Sequence, residues 1–283
     1  MRGFINVIKP EGMNSSVAVA IVKRKFKVPC GHMGTLDPMA SGVLPIGLGK
    51  TSRLFQYLLD KVKTYRTRVI FGYSTDTLDI TGKKDGETGL VPTKEQIERI
   101  LPKFIGEIEQ MPPKFSAKCI DGKRGYELAR SGVDFELKPK KVTILDIKLI
   151  KQTADNEFEF TIDCKGGTYI RSIARDLGLE LNTLGVMSYL KRERCGIFDL
   201  TNGVTIEELK ASENPKEFII PSDEAVNFEK LVLDNQTATK ILNGLYEDIG
   251  VKDGTYRVYN GEEFWGVGEA ENGILKIKSY VKE

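Results

Sequence analysis

Residues 31–42 hold a single carboxylate, Asp37, in a stretch rich in glycine. The stretch reads Gly-His-Met-Gly-Thr-Leu-Asp-Pro-Met-Ala-Ser-Gly and contains His32, the one histidine of the chain. An Asp that precedes Pro is most often a turn residue whose carboxylate accepts hydrogen bonds from nearby backbone N–H groups. The alternative is a nucleophile, because a carboxylate can attack an electrophilic carbon and leave again. Residue types alone leave both interpretations open for Asp37.

Two other segments hold side chains that suit the same chemistry. The alternation of residues 64–71 predicts a strand on which Tyr65 shares one face with its second neighbours. Thr168 is expected to cap a helix, which places Arg171 in the first turn and off the apolar stripe. Taken alone, Tyr65 is a core tyrosine and Arg171 an ordinary surface arginine. A positive charge is poorly placed at a helix start, however, and this mildly favours a function for Arg171.

The string around Asp37 resembles the signature loop of the TruB-type tRNA pseudouridine synthases, Gly-His-x-Gly-x-Leu-Asp-Pro-x-Ala-Ser/Thr-Gly. Residues 9–15, Lys-Pro-Glu-Gly-Met-Asn-Ser, resemble a second family motif, Lys-Pro-x-Gly-x-Thr-Ser, with Asn14 in place of Thr. The resemblance covers nearly the whole chain and weakens towards the C-terminus. It implies an enzyme that isomerises the T-loop uridine of tRNA, conventionally uridine-55, to pseudouridine. The family needs no cofactor, guide RNA or partner protein for this reaction.

The resemblance also assigns roles to individual residues. Asp37 is implied as the nucleophile, towards either uracil C6 or ribose C1′, and Arg171 as the guanidinium partner that keeps it ionised. Tyr65 is implied to stack on the target base and to move its C5 proton. The other implied site residues are His32, which fills the gap left by the flipped base, Tyr169 and Leu190, which contact that base, and Lys9 and Pro10, which support the site. No metal site is implied.

Composition agrees with an enzyme of this kind. With 283 residues, 40% hydrophobic and 29% charged, the chain is expected to be a soluble globular protein of about two domains. The N-terminal segment lacks an apolar stretch of signal-peptide length, which predicts a cytoplasmic protein without a membrane span. Four widely separated cysteines and a single histidine favour reduced thiols and no metal cluster.

The net charge of +2 conceals a gradient along the chain. Residues 1–70 contain 12 Lys and Arg against 3 Asp and Glu, whereas residues 201–283 contain 9 against 16. The basic third also holds Asp37. Because a basic surface attracts a polyanion and releases its counterions, this distribution favours a nucleic acid over an acidic small molecule. A solvated basic face without a partner is the alternative.

The pattern of elements predicts an α+β (mixed α/β) protein. The resemblance makes this a pseudouridine synthase fold, with a mixed, largely antiparallel sheet and flanking helices, followed by a small C-terminal PUA-type β-barrel. The expected domains are residues 1–228 and 229–283. A basic insertion at about 108–135 resembles the family's RNA-gripping thumb. The expected partner is tRNA, bound through its T-arm and acceptor stem by a monomer.

Three other functions remain open from the sequence. One is a guide-RNA-directed pseudouridine synthase, which the thumb-like insertion and the absence of long basic tails disfavour. Another is a tRNA-binding or RNA-folding protein in which catalysis is secondary. The most remote is a P-loop NTPase, because residues 44–51, Leu-Pro-Ile-Gly-Leu-Gly-Lys-Thr, end like a phosphate-binding loop. Leu44 stands there in place of the required first glycine.

Overall fold

The computed structural model describes residues 2–58, 61–115, 137–245 and 248–282, together with residue 135 and the short strands at 119–120 and 123–124. Most of the expected thumb, residues 108–135, lies outside the described residues. Within the described ranges, no helix is long and apolar enough to cross a membrane. The same ranges contain no group of three or more His, Cys, Asp or Glu side chains placed to hold a metal ion.

The protein has an α+β architecture in which strands outnumber helices. The helices are α1 (Ser15–Phe26), α2 (Lys94–Ile100), α3 (Ile170–Glu180), α4 (Ile206–Ala211) and α5 (Asn235–Leu242), with 3-10 turns at Gly49–Tyr57, Leu101–Phe104 and Pro215–Phe218. The strands are β1 (Gly3–Lys9), β2 (Cys30–His32), β3 (Ser41–Leu48), β4 (Lys63–Phe71), β5 (Tyr73–Thr75), β6 (Lys84–Glu87), β7 (Gly106–Gln110), β8 (Cys119–Ile120), β9 (Lys123–Arg124), β10 (Lys140–Ala154), β11 (Glu157–Cys164), β12 (Gly185–Cys195), β13 (Phe198–Asp199), β14 (Val204–Thr205), β15 (Ile219–Ile220), β16 (Glu229–Leu233), β17 (Asp248–Val251), β18 (Gly254–Asn260), β19 (Glu263–Glu271) and β20 (Gly273–Tyr280).

The large sheet has the strand order β14-β1-β3-β12-β4-β11-β10-β7, with β2, β13 and β15 paired along its side. Its pairs are antiparallel except for β1 with β14 and β3 with β12. The expected mixed, largely antiparallel sheet is therefore confirmed. The parallel contact between β3 and β12 brings two distant parts of the chain side by side at the centre of the sheet.

One face of the large sheet packs against four helices. Strand β4 shows why, because every second residue from Lys63 to Phe71 is buried, as the alternating sequence predicts. Apolar residues from this face join those of α1, α2, α3 and α4 in one continuous core. Tyr65 and Leu190 belong to that core, so the helix-covered face also holds two of the predicted site residues.

The opposite face of β1 and β3 packs against the C-terminal part of the chain. Phe4 and Val43 point to this side, while their neighbours Ile5 and Leu44 point to the helices. Tyr259 and other buried apolar residues of the C-terminal part complete a second core with them. The two parts of the chain are therefore joined by a buried apolar contact.

The C-terminal part forms a five-stranded sheet with the order β16-β18-β19-β20-β17. Its pairs are antiparallel apart from β16 with β18. Asp234 caps the start of helix α5, because its carboxylate accepts hydrogen bonds from the N–H groups of Gln236 and Thr237. The helix packs on this sheet. This half-barrel is compatible with the expected PUA-type domain.

The segment that ends like a P-loop does not form a phosphate-binding loop. Residues 41–48 are strand β3, and Leu44 is fully buried in its pairing with β1. Lys50 donates to the backbone oxygen of Lys282, and the Thr51 hydroxyl accepts a hydrogen bond from the backbone N–H of Gly3. The nucleotide-hydrolase alternative is therefore wrong, because strand pairing occupies the backbone groups that a phosphate would need.

Gly42 lies where β3 meets β12, and the contact leaves no room for a side chain. Its φ is +102°, and a Cβ there would lie 2.2 Å from the backbone oxygen of Arg192. Gly106 has a nearly identical φ of +106° but open space around it. The fold therefore requires glycine at position 42 for close approach as well as for conformation.

We expect Gly42→Ala to lower the midpoint of thermal unfolding by about 5 °C or more beyond Gly106→Ala. Both variants suffer the same backbone strain, and only the first forces β3 away from β12. Circular dichroism melts of both variants measure the difference. Equal melting temperatures for the two would show that the contact between these strands is not tight.

Candidate active site

Asp37 lies in the loop between β2 and β3, and neighbouring segments fix the loop backbone. The Ser15 hydroxyl at the start of α1 donates to the oxygen of Leu36 and accepts from its N–H, at 2.8 and 2.9 Å. A tight turn follows, in which the N–H of Ala40 bonds the oxygen of Asp37 at 3.0 Å. The loop is thus held on both sides of the carboxylate. About one third of the Asp37 side chain stays exposed, so its carboxylate is open to a ligand.

Lys9 supports the loop from below. Its ammonium is fully buried and donates to the backbone oxygens of Pro10, Met13 and Pro38, at 2.9, 2.7 and 3.3 Å. These bonds tie the turn after β1 to the residue that follows Asp37. Burial lowers the pKa of Lys9 from 10.5 to about 8, and the negative charge of Asp37 offsets part of the effect. The structure thus places Lys9 and Pro10 beneath the loop.

Arg171 meets Asp37 in a two-point ion pair. Its Nε lies 2.9 Å from Oδ2 of Asp37, and its Nη2 donates to Oδ1 at 3.1 Å. This parallel geometry fixes the plane of the carboxylate as well as its charge. Only 7% of the Arg171 side chain is exposed, so the alternative of an ordinary surface arginine does not hold. The second residue of α3 points into the site because the start of the helix lies beside the loop.

The remaining donors of Arg171 are also satisfied. Its Nη1 donates to the oxygen of Thr77 at 3.0 Å and lies 3.6 Å from Oδ2 of Asp79, while Nη2 also donates to the oxygen of Phe115 at 3.0 Å. A guanidinium carries five N–H bonds, and here five oxygens surround it. The side chain of Arg171 therefore has little freedom to leave Asp37.

Asp79 was missed by the sequence analysis. It lies in the loop between β5 and β6, and its side chain is 6% exposed. Its Oδ1 accepts hydrogen bonds from the hydroxyl of Thr77 at 2.8 Å and from the hydroxyl and N–H of Thr81. Leu78, just before it, adopts a left-handed φ of +63°. Strain of this kind in a non-glycine residue is typical of functional loops. The one available signal was an Asp among threonines.

Strand β12 anchors the Asp79 loop to the sheet. The N–H of Met187 bonds the oxygen of Leu78 at 3.1 Å, and the oxygen of Met187 accepts from the N–H of Ile80 at 3.0 Å. These two bonds form a parallel bridge on either side of Asp79. The Asp79 loop is therefore fixed by the same strand that carries Leu190.

Tyr65 and Leu190 lie on the neighbouring strands β4 and β12, with 7% and 6% exposure. Both belong to the core that also contains Leu36, the residue before Asp37. Burial raises the pKa of Tyr65 to about 12, and the Arg192 guanidinium opposes part of this rise through its charge and a hydrogen bond. The Tyr65 phenol is consequently neutral near pH 7.

Tyr169 is half-buried at the residue before α3. Gln110, a buried residue that the sequence analysis also missed, holds it from β7. The Gln110 amide accepts from the N–H of Tyr169 at 2.8 Å and donates to its oxygen at 3.2 Å. Thr168 does not cap the helix as predicted, because its hydroxyl donates back to the oxygen of Lys165.

His32 occupies the end of β2, opposite Ile46 of β3, and is half-buried. It lies five residues before Asp37 at the entrance of the same loop. The structure thus joins Asp37, Arg171 and Asp79 by direct contacts and ties Lys9 to the loop. Tyr65 and Leu190 lie in the core that also contains Leu36, and Tyr169 immediately precedes α3, the helix that carries Arg171. A carboxylate held in one orientation beside a largely buried guanidinium can act as a nucleophile or stabilise a cation.

Comparison with solved structures defines the class of protein. The chain superposes on Cbf5 in a structure described as "Crystal Structure of a Cbf5-Nop10-Gar1 Complex" with a TM-score of 0.71 and 26% identity, covering 98% of this chain and 79% of that chain. It also superposes on a chain of "Structure of H/ACA RNP bound to a substrate RNA containing 2'-deoxyuridine" with a TM-score of 0.73 and 22% identity, covering 99% and 85%. The fold is therefore a pseudouridine synthase fold.

Sequence comparison identifies the family. A model of the TruB family pseudouridylate synthase (N terminal domain) matches residues 22–170, and one of the tRNA pseudouridylate synthase B C-terminal domain matches residues 171–227. The chain is 39% identical to tRNA pseudouridine synthase B of Caldanaerobacter subterraneus subsp. tengcongensis over 98% of both chains. It is 38% identical to the protein of that name from Aquifex aeolicus, over 98% of this chain and 99% of the relative. The chain belongs to the TruB family of pseudouridylate synthases.

The lowered pKa of Lys9 leads to a prediction about how the stability of the protein depends on pH. We expect its ammonium to titrate near pH 8, where an ordinary lysine is still charged. Between pH 8 and 10.5 the unfolded chain binds this proton and the folded chain does not, so the contribution of Lys9 to the free energy of unfolding rises with pH. The ¹³Cε chemical shift in lysine-labelled protein measures the titration. The spectrum of Lys9→Arg identifies the resonance, and a Lys9 signal that stays protonated to about pH 10 contradicts the expectation.

Proposed function

We propose that this chain isomerises the T-loop uridine of tRNA, conventionally uridine-55, to pseudouridine as a stand-alone enzyme. Family membership and the bacterial relatives named tRNA pseudouridine synthase B support this function. The observation that carries it is the two-point ion pair between Asp37 and Arg171, because it presents an oriented carboxylate at the position where the family motif has its aspartate.

The reaction breaks the N1–C1′ glycosidic bond, turns the uracil and joins C5 to C1′. The C5 proton is lost and N1 gains a proton, so the product is an isomer of the substrate. Asp37 attacks either C6 of the uracil or C1′ of the ribose. The covalent bond between Asp37 and that carbon breaks again when the product forms. Arg171 holds the carboxylate in the attacking orientation through two parallel contacts.

The other predicted site residues serve the flipped base. Tyr65, on the strand next to the one that carries Leu190, stacks on the uracil. Its phenol is neutral at rest, so it gives up its own proton before it accepts the proton from C5. Leu190 and Tyr169 contact the flipped base. His32 fills the gap that the uridine leaves in the T-loop, since flipping a base out of its stack costs a few kcal/mol.

The basic N-terminal third of the chain binds the tRNA backbone, and the T-arm and acceptor stem are the expected contacts. Residues 229–283, as a PUA-like domain, touch the acceptor side while residues 1–228 act on the T-loop. The acidic composition of the C-terminal part makes its share of the phosphate contacts small.

The guide-RNA-directed alternative draws on the Cbf5 structures, one of which is described as a complex with Nop10 and Gar1. The bacterial relatives are closer in sequence and match the whole chain, which favours stand-alone action on tRNA. A tRNA-folding function with secondary catalysis is separated from the proposal by an assay of turnover.

The decisive assay mixes the pure protein with an unmodified tRNA transcript that carries tritium at uracil C5 and counts the tritium released to water. We expect Asp37→Asn to abolish release while the Kd for tRNA changes by less than about tenfold, because an amide keeps the shape and loses the nucleophile. Asp85→Asn is the matched control, since the carboxylate of Asp85 is exposed and bonds only the Ser74 hydroxyl among the described contacts. Turnover by Asp37→Asn, after deamidation is excluded, removes Asp37 from the mechanism.

Asp79 generates a second prediction for this assay. In Asp79→Asn an amide replaces the carboxylate that faces Nη1 of Arg171, so Arg171 is held less firmly against Asp37. We expect the single-turnover rate to fall by about 10- to 100-fold with tRNA affinity unchanged. Asp76→Asn in the same loop is the control, because Asp76 is exposed and, among the described contacts, its carboxylate accepts only from the N–H of Lys83. A rate equal to that of the control would limit Asp79 to shaping its own loop.

A further inference from the structure

Arg192 is a buried charge that none of the roles above explains. It lies on β12, two residues after Leu190, and its side chain is among the largest fully buried ones, with 1% of the residue exposed. Burying a guanidinium is costly unless every donor is satisfied and the charge is balanced. A leucine or methionine at this position would fill the space at a lower cost in free energy. The presence of an arginine therefore needs an explanation.

Arg192 donates to two backbone oxygens. Its Nε donates to the oxygen of Val43 at 2.7 Å, and its Nη2 donates to the oxygen of Gly34 at 3.2 Å. Among the ion pairs of the described residues, none includes Arg192. The positive charge is therefore not consumed by a carboxylate, unlike that of Arg171.

The two oxygens bracket the loop that carries Asp37. Gly34 lies three residues before Asp37 and Val43 six residues after it, so one guanidinium joins both ends of the loop. The pairing of β3 with β12 places Arg192 opposite Gly42, where no side chain fits between the strands. The side chain of Arg192 is thus held at the base of the loop.

On its other side, Arg192 faces Tyr65. The two residues are directly opposite each other in the antiparallel pairing of β4 with β12. Side chains at such positions lie on the same face of the sheet, within about 5.5 Å at Cβ. From this position the charge of Arg192 acts on the Tyr65 phenol in the direction that favours loss of its proton.

We propose that Arg192 is a positioning residue that sets Tyr65 and the Asp37 loop in one fixed arrangement. Its guanidinium clamps both ends of the loop, and its charge lies opposite Tyr65, where it favours loss of the phenolic proton when that group takes part in proton transfer. The proposal rests on the proposed isomerisation of uridine. It explains why a charge is kept at the centre of the sheet, since an apolar side chain could neither bond the two oxygens nor place a charge opposite Tyr65.

Single-turnover tritium release from a T-arm hairpin, together with the Kd for the same RNA, tests this role. We expect Arg192→Met to lower the rate about 100-fold or more, and Arg192→Lys about 10-fold, with both Kd values within about threefold of wild type. Lysine keeps the charge but lacks the fork that spans several acceptors, so its rescue is partial. Arg257→Lys is the matched control, because Arg257 likewise donates to two backbone oxygens, those of Asp223 and Phe228, away from the site.

The outcomes separate this role from general packing. A fall in rate without a change in Kd, in the order wild type, Arg192→Lys, Arg192→Met, supports the proposal. If circular dichroism shows that Arg192→Met does not fold, Arg192→Lys alone tests the proposal. A loss in its single-turnover rate without a change in its Kd then supports the positioning role. Rates within about threefold of wild type for Arg192→Lys, or equal losses in rate and affinity, overturn it. If the wild-type protein and Arg257→Lys release no tritium, the proposed function fails and the inference fails with it.

Discussion

The ion pair between Asp37 and Arg171 is the interaction on which the site depends. A carboxylate on a loop has many orientations, and a reaction at carbon needs one. Arg171 supplies that orientation because Asp79, Thr77 and Phe115 already occupy its remaining donors. The burial of Arg171 also matters. A largely buried guanidinium is screened less by water than one on the surface, so its attraction for the Asp37 carboxylate is stronger there.

Strand β12 brings the parts of this site together. It pairs with β3 on one side and β4 on the other, and these strands carry the Asp37 loop and Tyr65. Three residues of β12 act on different parts of the site. Met187 anchors the Asp79 loop, Leu190 lies beside Tyr65, and Arg192 bonds both ends of the Asp37 loop. A sheet interior suits this task because its ladder of hydrogen bonds holds neighbouring strands in a fixed register. Side chains on such a support are placed more reproducibly than on loops alone.

The C-terminal half-barrel shares a buried apolar core with the other face of the sheet. Phe4 and Val43 lie in that core, and their neighbours Ile5 and Leu44 lie in the core beneath the site. Strands β1 and β3 are therefore packed on both faces. The acidic C-terminal part and the basic N-terminal part thus form one folded body, in which the half-barrel supports the strands that flank the site.

The sequence by itself determined the local elements and the family. Alternation predicted β4, and the motif around Asp37 predicted the chemistry, because both depend on residues close together in the chain. The tertiary structure decided which distant side chains meet. The resemblance implied that Arg171 pairs with Asp37, 134 residues away, but the burial of Arg171 was not predicted from its place near a helix start. Asp79 and Arg192 carry no local pattern that marks them, since a buried charge is defined by the groups that surround it. Those groups come together only when the strands pair.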